Sequence, residues 1–229
     1  QHRAEICVTP ILHARYNPWE KAVLRFSAGR GKRSANIFAE NQPLFASARA
    51  FEILDTNGKV YGLNPEIAWN YGVSFAQKFS LFGKNADVGF DVYRTDFQNQ
   101  AVVDLMQSPQ QVLFYNLKGK SIANTMQFEF NYELAKHLNL RSAYKFYDVT
   151  TDYLSGTYQN PLQAKHRFFG NLEYETHIGE KGKQWKFDYT FNWIGQQQLP
   201  NTMSNPVNDR LPEFSPSYSL INAQITRTS

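Results

Sequence analysis

The sequence predicts an all-β fold, an antiparallel up-and-down transmembrane β-barrel segment, and three observations carry that prediction. Segments such as Met126–Leu134 and Trp185–Trp193 alternate apolar and polar residues without a break. The alternating segments reach about ten residues or more, the length that crosses a bilayer at a tilt, whereas globular strands centre on about five or six. The connections between them alternate short and long, as they do in outer-membrane barrels.

Period-two patterning gives nine strands in order. The first covers about Ile6–Tyr16 and ends in the tight turn Asn17-Pro18-Trp19-Glu20. The second runs over Ala22–Gly31, and a long polar stretch follows to Pro65. Glu66–Phe79 and Ala86–Phe97 flank a turn at Phe82-Gly83-Lys84-Asn85. After a spacer reaching Lys120 come Ile122–Leu134 and Leu138–Val149, joined at Ala135-Lys136-His137. His166–Thr176 and Trp185–Gly195 form a pair across the Gly179/Gly182 turn, and Tyr218–Thr226 follows a proline-rich stretch. Within the spacer 98–120, Ala101–Leu105 and Gln111–Tyr115 are expected to extend strands four and five as a hairpin around Pro109.

Side chains on an extended chain alternate between its two faces. One face carries Trp69, Tyr71, Val73, Phe75, Phe90, Phe128, Phe130, Phe187 and Phe191, and is expected to meet lipid. The other carries Arg25, Asp91, Glu129, Asn131, Arg141, Lys145, Lys186 and Asp188, and is expected to line the lumen. Trp185 and Trp193 sit at the ends of one strand, where interfacial girdle residues belong. A soluble sandwich would instead bury the aromatic face beneath a second layer.

Composition agrees. Aromatics make up 15% of the 229 residues while mean hydropathy stays negative at -0.52, a pairing suited to half-polar strands and polar loops. No run approaches about 18 apolar residues, so transmembrane helices are excluded. Net charge is only +4, and no basic run with interleaved aromatics points to nucleic acid. The lone Cys7 has no partner for a disulfide and no ligand spacing around it. The opening Gln-His-Arg-Ala-Glu is not a charged-then-apolar leader, so no signal peptide is expected within these residues.

An open sheet of nine strands would leave backbone groups unpaired in lipid, at several kcal/mol each. The segment is therefore expected to be part of a larger barrel. The run from Phe26 to Asn41 and the stretch Leu63-Asn64-Pro65-Glu66-Ile67-Ala68-Trp69-Asn70-Tyr71-Gly72 resemble the barrel of TonB-dependent outer-membrane receptors. So do Tyr93-Arg94-Thr95-Asp96-Phe97, Phe114-Tyr115-Asn116-Leu117 with Gly119-Lys120-Ser121, Pro161-Leu162 with Lys165-His166-Arg167, and Trp185-Lys186-Phe187-Asp188. The resemblance implies a twenty-two-stranded barrel filled by an N-terminal plug, of which residues 1–229 are a central-to-late part, with the plug, the TonB box and the terminal strands outside it. It implies active uptake of a scarce nutrient such as a ferric siderophore, haem or cobalamin, sometimes a glycan. A passive porin-like channel is the alternative. The implied partners are the TonB complex acting through the plug, lipopolysaccharide and membrane lipid, and the nutrient ligand. No cofactor is implied.

No phosphate loop, paired-cysteine zinc site, His-Glu-x-x-His helix or G-x-S-x-G elbow appears, so an enzyme is not expected. Asp148, Asp152 and His166 surround one outer loop and are the nearest approach to a catalytic group. Arg30, Lys32 and Arg33 form a basic cluster suited to lipopolysaccharide phosphates. Among the loops, Arg49, Tyr115, Tyr153 and Tyr158 are the candidates for ligand contact, because aromatic and Arg groups anchor binding sites.

Overall fold

The structure is a computed structural model that describes residues 9–179 and 182–228. Cys7 and the start of the predicted first strand, 6–8, lie outside the described residues, as does His2. The wall is built from β1 (Ile11–Tyr16), β2 (Ala22–Arg33), β4 (Glu66–Leu81), β5 (Lys84–Asn99), β8 (Ser121–Ala135), β9 (Leu138–Tyr153), β11 (His166–Glu175), β12 (Gln184–Ile194) and β13 (Tyr218–Thr228). All neighbours in that order pair antiparallel, and β10 (Gly156–Gln159) adds to the end of β9. Among the described residues β1 and β13 do not meet, so the sheet is an open arc of barrel wall.

The register sorts side chains into continuous rows. Phe75, Phe90, Phe128, Tyr144, Phe168 and Trp193 stand opposite one another on six successive strands. One residue along, Ser74, Asp91, Gln127, Lys145 and Arg167 form the matching row of the other face. Among the described residues nothing is layered over the aromatic rows: Phe128 is 44% exposed and Phe187 40%. Removing a Phe or Leu side chain from water is worth about 1.5–3 kcal/mol, and a water-soluble fold would not forgo that on every strand. Hydrocarbon is the medium this face fits. No helix among the described residues is long and apolar enough to cross a membrane.

Short turns close one end of the wall. They use left-handed residues where two-residue connections demand them, with Phe82 at φ 50° before Gly83 at φ 73°, and His137 at φ 66°. Within the wall, Gly72 makes room on the polar face for the Tyr93 ring directly across the ladder. A Cβ there would stand 2.3 Å from Tyr93 Cε1.

The long connections at the opposite end fold into a structure of their own. β3 (Ala50–Ile53), β6 (Ala101–Asp104) and β7 (Gln111–Asn116) form a separate three-stranded sheet, in which β6 and β7 are antiparallel and β3 runs parallel to β7. The predicted hairpin is present, but it does not lengthen β5 and β8. It parts from β5 at Gln100, and its free edge takes up β3. The continuous apolar runs explain why. Alternate residues of β7 feed two cores, Val112 and Phe114 into one, Leu113 and Tyr115 into the other. A strand buried on both faces reads as unbroken hydrophobicity instead of alternation. Two short helices, α1 (Ile37–Glu40) and α2 (Gln42–Phe45), bring Ile37, Leu44 and Phe45 against the first core.

Candidate functional site

The buried hydrophobic clusters of the described residues lie in this loop module, and the wall beneath contributes only Tyr153, at the upper end of β9. The module is fixed to the wall by Asn64-Pro65-Glu66, the tripeptide that enters β4. The Asn64 N–H donates to Asn116 Oδ1 at 2.9 Å, and Asn116 Nδ2 returns a bond to the Asn64 carbonyl at 3.1 Å. Asn99 Nδ2 donates to the Pro65 carbonyl at 2.7 Å. Glu66 is only 7% exposed; its carboxylate accepts from the Ala101 N–H at 3.2 Å and from Arg33 Nε. Arg33 also donates to Glu40 of α1 at 3.0 Å. The β2–β4 and β5–β8 connections thus converge on the first residues of β4, where the β4–β5 register also shifts, between Ile67 and Ala68.

Inside the module, Tyr115 is fully buried. Its hydroxyl donates to Asp104 Oδ2 at 2.7 Å and accepts from the Leu154 N–H at 3.1 Å. Asp104 Oδ1 accepts from the Met106 N–H at 2.7 Å and the Gln107 N–H at 3.2 Å. Burial, followed by the hydrogen bond to Asp104, pushes the Tyr115 hydroxyl well above the ordinary tyrosine range.

Next to this network is a hollow of about 320 Å³ between the β6–β7 hairpin and the loop 195–217. Met106, Tyr158, Leu199, Met203, Leu211 and Glu213 are among its walls. Asn201 Nδ2 donates to the Met106 carbonyl at 3.0 Å, and the Leu211 N–H donates to Thr202 Oγ1 at 2.8 Å, so both sides of the hollow are tied down. Gln198, Asn201 and Thr202 line it as well, so polar and apolar groups share its walls in similar measure.

The strand order, the one-sided aromatic rows and the loop polarity together describe a family, and a family model described as TonB dependent receptor-like, beta-barrel matches residues 8–228. This chain belongs to the TonB-dependent receptor β-barrel family. Members of that family are transport receptors of the outer membrane rather than enzymes. No curated protein matches the chain. A chain of the FpvAI–pyocin S2 complex superposes with a TM-score of 0.63 at 16% identity, over 95% of this chain and 26% of that one. FpvA of P. aeruginosa bound to heterologous pyoverdines gives 0.60 at 15%, over 95% and 26%. The ferric-catecholate import receptor Fiu of E. coli K12 gives 0.59 at 14%, over 94% and 28%. The chain spans about a quarter of the length of these solved relatives, and at such identities the likeness shows the fold.

The receptor barrel places the four sequence candidates differently. Tyr158 borders the hollow and is half-buried. Arg49 is half-exposed immediately before β3, away from the residues that line it. Tyr115 and Tyr153 are buried, so their rings pack the module and present no surface to a ligand. Asn201, Met203, Leu211 and Glu213 escaped sequence reading because the segment 195–217 looks like a proline-rich spacer, and Met106 because it falls between the two apolar runs of 98–120. The signal available there was its apolar content, in Leu199, Met203, Val207, Leu211 and Phe214. Asp148, Asp152 and His166 are held by separate partners: Lys165 at 2.8 Å, Thr157 Oγ1 at 2.7 Å and Tyr144 Oη at 2.7 Å, respectively. Arg30, Lys32 and Arg33 are divided as well. Arg33 is committed to Glu40 and Glu66 on one face, while Arg30 and Lys32 project from the other. Among the described residues no group of three or more His, Cys, Asp or Glu is placed to hold a metal ion.

Proposed function

We propose that this chain is wall and loop material of an outer-membrane receptor that captures a scarce nutrient, such as a ferric siderophore, haem or cobalamin, for energised uptake. One observation carries the reading: the long-loop end of a lipid-facing sheet condenses into a rigid, buried-core module bordering a ligand-sized hollow. The named relatives support the nutrient class, since they are described with pyoverdines and ferric catecholates.

In this reading Arg25, Asp91, Glu129, Asn131, Arg141, Lys145, Lys186 and Asp188 face the lumen, where they hold a plug that yields under TonB traction. All eight share one face by register. Strands flanking β1 and β13 complete the barrel in a Gram-negative outer membrane. Arg30 and Lys32, on the aromatic face near the loop end, meet lipopolysaccharide phosphates. Tyr158 and its neighbours in the hollow contact the nutrient, with Arg49 at the module's edge. The test is uptake of radiolabelled iron–siderophore complexes, haem and cobalamin by cells bearing the receptor, with and without an intact TonB complex. Uptake of one of them that stops when TonB is removed is expected; uptake indifferent to TonB would favour the passive channel.

A further inference from the structure

The polar face carries a feature that plain wall chemistry does not account for. Lys145 of β9 and Arg167 of β11 stand directly opposite each other in the antiparallel register. Like charges in that position are destabilising. Both side chains are exposed, and no carboxylate among the described residues lies within ion-pair distance of either. Lys145 has only the Tyr147 ring, its Nζ lying 5.5 Å from the centroid.

On this face Glu129, diagonal to Lys145, accepts from Gln127 Nε2, and Asp91 stands in the same row with Gln127 between it and Lys145. Farther along the strands Glu173 lies 3.9 Å from Arg141, and Asp188 accepts from Asn171 Nδ2 at 2.9 Å. The two cations border a hollow of about 360 Å³ shared with Gln127, Phe169, Asn192 and Leu220. A similar pair, Arg15 opposite Arg25, sits on β1, where no further strand pairs among the described residues. Lys145 and Arg167 differ, because β8 and β12 flank them and every wall neighbour is known.

We propose that Lys145 and Arg167 form an oxyanion station on the inner wall, built to take a carboxylate. The Arg167 fork supplies paired donors and Lys145 a point charge. Gln127 and Asn192 add neutral donors at the rim, and the Phe169 ring gives an apolar backing, so an aromatic or otherwise apolar acid fits best. The inference rests on the polar face enclosing the barrel interior. Two sources can present this chemistry: an acidic side chain of another part of the same receptor, or a passing ligand.

Benzoate titrated calorimetrically into the intact receptor in detergent, alongside thermal melting, separates them. If passing ligands use the station, benzoate binds, and K145Q/R167Q weakens it at least about tenfold, as loss of charge-assisted hydrogen bonds requires. If an internal acid fills it, benzoate does not bind and K145Q/R167Q lowers the melting temperature. Should that double variant fail to fold, R167E keeps the wall charge-balanced and is read in the same two assays. Absence of benzoate binding together with an unchanged or raised melting temperature in the variant overturns the proposal. TonB-dependent uptake that persists in that case would leave the transport reading intact, so the two failures are distinguishable.

Discussion

The Tyr115 hydroxyl and the Asp104 carboxylate saturate each other inside the loop module, and each is also bonded by backbone N–H groups. Removing one partner from a buried pair costs more than the bond itself contributed, because the other group stays desolvated. Y115F is therefore expected to destabilise the module by about 1–3 kcal/mol, read as faster limited proteolysis within 101–116 with the wall intact. The same hydroxyl makes the module sensitive to alkali. An unfolded tyrosine ionises near pH 10, whereas Tyr115 in the fold holds its proton to higher pH. Above pH 10 the unfolded chain binds fewer protons than the folded one, so this contribution is complete below pH 10 and is lost as pH rises through the folded value. Melting curves at pH 8 and pH 11 are expected to diverge more for the native protein than for Y115F.

At the scale of elements, the long strands were legible because each has one face in a single medium for ten residues or more. Alternation then leaves little choice of register, and Glu66–Phe79 or Leu138–Val149 differ from the observed β4 and β9 only at their ends. What escaped was short or non-local. β3, β10, α1 and α2 have four residues each, too few to show a period. The parallel pairing of β3 with β7 joins segments some sixty residues apart through backbone bonds that leave no local mark. Asn64-Pro65-Glu66 stood out by resemblance, and its role as the joint of two long connections became visible only in the bonding. E66A is expected to leave the Ala101 N–H short of its partner, costing about 1–3 kcal/mol and loosening 101–116 in hydrogen exchange. The two faces can be told apart directly. F128K, at the middle of β8, is expected to cost about 2–4 kcal/mol in lipid, while T125K on the polar face costs little. Urea titrations of the membrane-inserted receptor measure both; equal costs would contradict the facing.

On the scale of the whole molecule, the sheet of the described residues has two bare edges, β1 and β13, and every residue of both strands is exposed. Backbone groups without partners cannot stay in hydrocarbon. Produced alone, these 229 residues are expected not to give the heat-modifiable, fast-migrating gel band of a closed barrel, whereas the receptor with its flanking strands does. A closed band from the chain alone would show that β1 and β13 can bond each other. The candidate site was less legible than the wall for a related reason. The hollow is made by loops distant in sequence, brought together where Met106 and Tyr158 border it with the segment 195–217 and Asn201 Nδ2 bonds the Met106 carbonyl.

The parallel pairing of β3 with β7 also imposes an order of events on biogenesis. The stretch after β2 emerges with apolar residues and bare peptide groups, and its mate is synthesised only after two further wall strands. Before β7 is available β3 has no partner strand, so the cap can latch only after β4 and β5 have been made, whatever order the later wall strands follow.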